Sequence, residues 1–356
     1  MNKLNEEQLK IVKATEPQVV VCSGAATGKT RTLVARIQYL LDSGADPLKI
    51  VAITFTNNAA TEILSRLTNS DGIFVGTIHS YCNYLLKKNG ISTDTLLANE
   101  DFDKLFDLIK NIPEFDIDEV EHLLLDEAQD SNQMQFDFIL KTVKPKNWMF
   151  FGDWKQSIYE FNSAEPKALI KLTKKPDVTV YHLYLNYRNG ENILEFAKKF
   201  LAPLPSDFED ISIPVKDNPG KVIESKITLE KAVNYVLSLT DTETYGDWFI
   251  LCRYNNQIDQ VNQILMQTGV PFVNFKQADL TQKQLEATLH SNYIKVLTIH
   301  SAKGLESKNV LVLSCWRKSD EEMRIKYVAA TRAKDLLIWD NVVGKKKKKK
   351  KINKWY

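Results

Sequence analysis

Lys29 and Thr30 close the stretch "SGAATGKTRT" (23–32), which follows the apolar run "QVVVCSG" and precedes an amphipathic pattern. Phosphate groups are held by backbone N–H groups in a tight loop, a helix N-terminus behind it and a lysine for charge. Gly28 permits close backbone approach, Lys29 reaches the outer phosphates, and the Thr30 hydroxyl can ligate Mg²⁺. The first glycine of the usual G-x-x-x-x-G-K-[ST] pattern is missing, because Ser23 stands in its place. Ser23, Ala25 and Ala26 are small enough to leave the path of the loop open, and Gly24 and Thr27 complete it.

A second pair sits in "HLLLDEAQD", where an apolar strand delivers Asp126 and Glu127 to a sheet edge. Ligands of open α/β sheets bind at such carboxyl ends. Asp126 is suited to hold Mg²⁺ through water, and Glu127 to take a proton from an attacking water. Charge developing on a phosphate also needs cations, and Arg188 in "LNYRNGENIL" and Arg332 in "KYVAATRAKDLL" are placed to supply them from the other half of the chain.

The elements that must position these groups alternate strand and helix. "QVVVCSG", "KIVAITFT", "GIFVGTI", "HLLLDEA" and "NWMFFGD" read as strands buried on both faces, with helical patterns such as "KTRTLVARIQYLLDSG" between them. The pattern restarts after Pro176 with "YHLYLN", "DWFILCR", "YIKVLTIH", "KNVLVLSC" and "KDLLIWD". The expectation is α/β with parallel sheets in two tandem domains, 1–178 and 179–343. A short acidic helical insertion is expected at about 83–120, and a lysine-rich disordered tail over 344–356.

Composition bounds the rest. The chain has 356 residues, 44% hydrophobic and 10% aromatic, enough for two cores. No run approaches the ~20 apolar residues of a membrane span or reads as a signal peptide. Cys22, Cys82, Cys252 and Cys315 are scattered, which reads as reduced thiols in an intracellular protein. The net charge of +2 conceals an asymmetry: Lys345 to Lys351 and Lys354 are eight of the 47 basic residues, and the other 39 face 45 acidic ones. Nucleic-acid binding would therefore come from local clusters, aromatics and the tail.

"LNEEQ" (4–8), "SGAATGKTRT" (23–32), "ITFTNNAATEI" (53–63), "GTIHSYC" (76–82), "LLLDEAQD" (123–130), "FGDWKQSIYEF" (151–161), "LNYRNGENI" (185–193), "VLTIHSAKGLE" (296–306) and "YVAATRAK" (327–334) occur in this order. Together they resemble the UvrD/Rep/PcrA group of superfamily 1 helicases, over residues 4 to about 340. The resemblance implies two RecA-like P-loop domains with the ATP site in the cleft between them, and tolerance of a small residue at Ser23. It implies that Gln8 reads the adenine edge, that Arg31 and Tyr187 sandwich the base, that Gln156 senses the γ-phosphate and that Glu306 lies near the ribose. Arg188 and Arg332 match the two arginine fingers. Phe55, Thr56, Asn57, His79, Tyr159, Phe161, Thr298 and His300 fall where relatives line the DNA groove.

This points to an ATP- and Mg²⁺-dependent translocase or helicase on single-stranded and 3′-tailed duplex DNA, cytoplasmic in a bacterium or encoded by a phage or plasmid. Departures include Asn162 where relatives carry arginine, a shortened first insertion and a second that is absent. They leave room for an accessory subunit, and for a rival reading as an ATP-gated binding module without unwinding activity.

Overall fold

The computed structural model describes residues 4–99, 101, 102, 104–112, 115–159, 166–275, 279–313 and 319–341. Phe161, Asn162, Cys315 and the lysine-rich tail lie outside these residues.

The first half folds as α1 (Glu6–Val12), β1 (Gln18–Ser23), α2 (Lys29–Asp42), β2 (Ile50–Thr54), α3 (Asn57–Arg66), β3 (Phe74–Thr77), α4 (Ile78–Lys88), α5 (Asp94–Ala98), α6 (Lys104–Asn111), β4 (His122–Leu125), α7 (Gln133–Asp137), β5 (Asn147–Gly152), α8 (Pro166–Thr173) and β6 (Thr179–Leu183). The second half continues with β7 (Leu185–Asn186), α9 (Glu191–Lys198), β8 (Ile213–Pro214), β9 (Lys221–Ser225), α10 (Leu229–Ser238), β10 (Trp248–Cys252), α11 (Asn255–Thr268), β11 (Phe272–Asn274), α12 (Gln282–His290), β12 (Ile294–Thr298), β13 (Ser307–Leu313), α13 (Asp320–Ala330) and β14 (Ala333–Asp340).

Two six-stranded sheets result, ordered β3-β2-β4-β5-β1-β6 and β11-β12-β10-β13-β14-β9. Every strand pair in both is parallel. This is the α/β architecture of two RecA-like domains, as expected. Parallel strands need both faces covered, and alternate residues of each strand serve opposite layers. In β1, Val20 and Cys22 join one core layer while Val19 and Val21 join the other. In β10, Phe249 and Leu251 point into one layer, and Trp248, Ile250 and Cys252 into the opposite one.

The expected division at 178/179 does not match the strand pairing. β6 runs beside β1, with Val20 opposite Val180 and Ser23 opposite Leu183, so the first sheet extends to residue 183. The run "YHLYLN", read as one strand of the second half, is split between β6 and the short β7–β8 ribbon. Strands β9 and β11 close the edges of the second sheet and were not read from the sequence. The segment expected as an insertion supplies Leu105, Phe106, Ile109 and Val120 to the core of the first sheet.

Candidate active site

β1 delivers the chain at Ser23 into the loop that ends at Gly28, the residue before α2. The Ser23 hydroxyl donates to the Gly152 carbonyl at 3.0 Å, so the residue that breaks the expected pattern is buried and satisfied against β5. Lys155 donates to the Ser23 carbonyl at 2.8 Å, and Thr27 bonds the Gly24 carbonyl at 3.2 Å. Gly28 has φ +86°, a region where a side chain is costly, and an added Cβ would lie 2.7 Å from the Gln8 amide nitrogen. Ala26 adopts φ +57° without that excuse. Such a backbone costs an alanine roughly 1–2 kcal/mol.

Asp126 and Glu127 follow β4 directly. The Thr30 hydroxyl donates to Asp126 Oδ2 at 2.8 Å, which brings together the two residues expected at the metal. Burial and the neighbouring Glu127 charge push the Asp126 carboxyl up, against the pull of Lys29. Glu127 turns through φ +51°. Burial raises its carboxyl, but Lys29 and Lys303, the Gln129 amide and Arg332 outweigh this and keep it below its ordinary value. An ionised carboxylate in a buried site is what a proton acceptor requires.

Arg332 arrives from across the cleft, in the turn after α13. Its Nη2 donates to Gln156 Oε1 at 3.0 Å, and Nε and Nη1 donate to the carbonyls of Val328 and Leu305 at 2.9 and 3.1 Å. Burial, then the charge of Arg188, push this guanidinium down to about 9. Gln156 in turn donates to Asp153 at 2.6 Å. Arg188 pairs with Glu306 and donates to the Thr331 carbonyl at 3.2 Å. Burial raises the Glu306 carboxyl, yet Arg188 and Lys334 hold it down at about 2. Gln8 donates to the Thr27 carbonyl at 3.3 Å, and the Tyr187 ring is half exposed, its hydroxyl accepting from Asn5 at 2.8 Å.

Lys29, Thr30, Arg31, Asp126, Glu127, Gln156, Tyr187, Arg188, Glu306 and Arg332 line one cleft of about 770 Å³, whereas Gln8, Ser23, Gly24 and Ala25 lie behind its lining. Lys303, Asp130 and Lys334 also face it, and the sequence reading gave them no role. Lys303 pairs with Asp130, whose carboxyl burial pushes up to about 6, so a cross-cleft ion pair sits beside Glu127. The motif spelling showed Lys303, but only folding reveals its partner 173 residues away.

In the lining of the same cleft Phe55 and Tyr159 stack, with ring centroids 5.2 Å apart and planes 17° from parallel. Lys303 lies 4.8 Å over the Tyr159 ring, and the His300 ring is 6.1 Å from it. Burial pushes His300 down to about 4, so the imidazole is neutral near pH 7. Thr56 caps α3, whose first residue is Asn57, by accepting from the Ala59 amide, and Thr298 accepts from the Ser301 amide. His79 does not join this group. It packs against the rings of Phe102 and Phe106, at 5.3 and 5.5 Å; like Asn57, Thr298 and His300, it is not part of the cleft lining, but unlike His300 it does not border the Tyr159 ring.

The chain matches two protein families and several named relatives. The UvrD/REP helicase N-terminal domain family matches residues 4–118 and 102–177, and the UvrD-like helicase C-terminal domain family matches 274–341. A Mycoplasma pneumoniae protein named "Probable DNA helicase" is 26% identical over 95% of this chain and 83% of its own length. The ATP-dependent DNA helicase PcrA of Staphylococcus aureus is 24% identical over 76% of this chain, which spans 50% of that protein. The first match covers β1 to β5 of the first sheet and the second covers β12, β13 and β14 of the second sheet, with Arg332 and Glu306 inside it and Arg188 between the two matches. The chain belongs to the UvrD/PcrA-like family of superfamily 1 helicases.

Proposed function

We infer that the chain is a DNA-dependent ATPase that moves 3′-to-5′ along single-stranded DNA and displaces a paired strand. The observation that carries this reading is the single cleft. One end gathers Lys29, Thr30, Asp126 and Glu127 opposite Arg188 and Arg332, and the other ends on the Phe55–Tyr159 stack. Lys303 belongs to both ends, since it covers the Tyr159 ring and sits in the field of Glu127.

In this reading the backbone of 24–30 and the Lys29 ammonium hold the phosphates, Gln8, Arg31 and Tyr187 hold the base, and Glu306 borders the ribose. Thr30 and Asp126 are two hard oxygen donors within hydrogen-bond distance, with Asp126 poorly suited to ionise alone. That donor set fits Mg²⁺, which is commonly held by one or two carboxylates, a hydroxyl and the substrate's phosphates. Among the described residues no cluster of three or more His, Cys, Asp or Glu gathers as a metal cage, and this mode of binding needs none. The ion would supply charge neutralisation at the phosphates. Glu127 accepts the proton of the attacking water, while Arg188, Arg332 and Gln156 meet charge developing on the terminal phosphate. Closure of the cleft completes this set, and reopening hands bases along the aromatics.

A second reading, an ATP-gated clamp that unwinds nothing and works with an accessory subunit, is favoured by the short connection from β11 through α12 to β12. Among the described residues no helix is long and apolar enough to cross a membrane. Displacement of a labelled strand from 3′-tailed but not 5′-tailed duplex, with ATP and Mg²⁺, supports the motor and its polarity. ATP-dependent DNA retention without displacement supports the clamp.

A further inference from the structure

The loop Ser23–Gly28 is also gripped by Asp210, Ser212 and Tyr327, none of which lines the cleft, and Asp210 and Ser212 fall in none of the motifs. An added Cβ on Gly24 would lie 2.0 Å from Ser212 Oγ and 3.1 Å from Asp210 Oδ1, so the buried residues Asp210 and Ser212 press directly on the first turn of the loop. Asp210 Oδ1 accepts from both the amide and the hydroxyl of Ser212, and Oδ2 accepts from the Tyr327 hydroxyl at 2.8 Å. That hydroxyl also lies 3.5 Å from the Ala25 amide nitrogen, a long contact. The Ala25 carbonyl accepts from Asn186 at 2.9 Å, and the Ala26 carbonyl from the Tyr187 amide at 3.2 Å.

Tyr327 is fully buried on α13, and the same helix end carries the arginine. The Tyr327 carbonyl accepts from the Thr331 amide, and Arg332 Nε bonds the carbonyl of the next residue, Val328. Burial, reinforced by Asp210, holds the phenol well above its ordinary value, so it remains a donor at any working pH. One side chain therefore joins the phosphate loop, the 210–212 segment and the helix that delivers Arg332.

We propose that Tyr327, Asp210 and Ser212 are positioning residues: a clasp that fixes the phosphate loop relative to α13 while the cleft is closed, so that loop and arginine finger keep register during hydrolysis. The proposal rests on the ATPase reading above. A rigid loop costs no reorganisation when charge develops, and a buried carboxylate that loses its donor is costly to leave unmet.

The test is Tyr327→Phe in the full chain, with Asp210→Asn as a second variant. Amide exchange of the peptide spanning 23–30 is measured beside kcat, the affinity for a fluorescent ATP analogue, and Tm. The expected result is exchange faster in that peptide by on the order of tenfold, with β10 and β12 unchanged. kcat falls on the order of tenfold and nucleotide affinity changes less than twofold. Unchanged loop exchange overturns the clasp whatever the activity. Faster exchange spread evenly through both sheets also overturns it, because the contact is then one of general stability. Faster loop exchange with unaltered kcat overturns the catalytic role. Loop loosening in a protein whose unmodified form hydrolyses no ATP keeps the clasp and overturns the parent reading instead.

Discussion

The two ends of the cleft are built differently. At the end proposed to hold the nucleotide, Arg332 is locked to two carbonyls and Gln156, Asp126 to Thr30, and Arg188 to Glu306 and the Thr331 carbonyl. At the aromatic end the contacts are ring on ring, and Phe55 is 41% exposed. Chemistry that stabilises a developing charge gains from groups already in place. A surface that must release one base and accept the next gains from stacking, which has no strong directional demand.

Variants can break this contrast. The largest effects belong to the locked end. Arg332→Ala should lower kcat by about 10³-fold or more, as loss of an arginine finger does. Glu127→Gln should cost roughly 10²–10⁴-fold in turnover while leaving binding of a fluorescent ATP analogue intact. Steady-state kinetics beside equilibrium binding checks both, and normal hydrolysis by Glu127→Gln would remove the assigned base.

Tyr159→Ala should act at the other end. Loss of one stacking platform is worth about 1–3 kcal/mol, roughly 5- to 150-fold in affinity for single-stranded DNA. DNA-free hydrolysis should change little. DNA anisotropy read alongside ATPase rates separates the two, and an equal loss of both would mean the ends are not distinct.

The smallest effect concerns the loop backbone. Ala26→Gly relieves a left-handed alanine at about 1–2 kcal/mol but adds unfolded-state freedom worth about 0.5–1 kcal/mol. The net is a small rise in Tm, about 1–2 °C for a chain of this size. A fall in Tm would show that the turn at φ +57° carries no strain.

The same contrast explains what could be read in advance. Asp126 follows a buried strand and so could be placed at a sheet edge before any fold was known, Lys29 opens a strong helix and Arg332 follows one, whereas Arg188 follows only the two-residue β7 and was legible through its motif. The short edge strands β9 and β11 escaped because exposed positions interrupt their apolar pattern. β6 escaped for a related reason: its burial is partial, and nothing local tells which sheet a parallel strand will join. His79 sits in a motif, yet its surroundings are the rings of Phe102 and Phe106. The Lys303–Asp130 pair and the Tyr327–Asp210 contact link positions 173 and 117 residues apart, which spacing cannot reveal.

The central claim is that the two ends work as one machine, and the most direct test is ATP hydrolysis with and without single-stranded DNA across a salt series. The account predicts strong stimulation by DNA, with the DNA concentration needed for half-stimulation rising as salt screens phosphate contacts. Hydrolysis that proceeds at one rate regardless of DNA would contradict it.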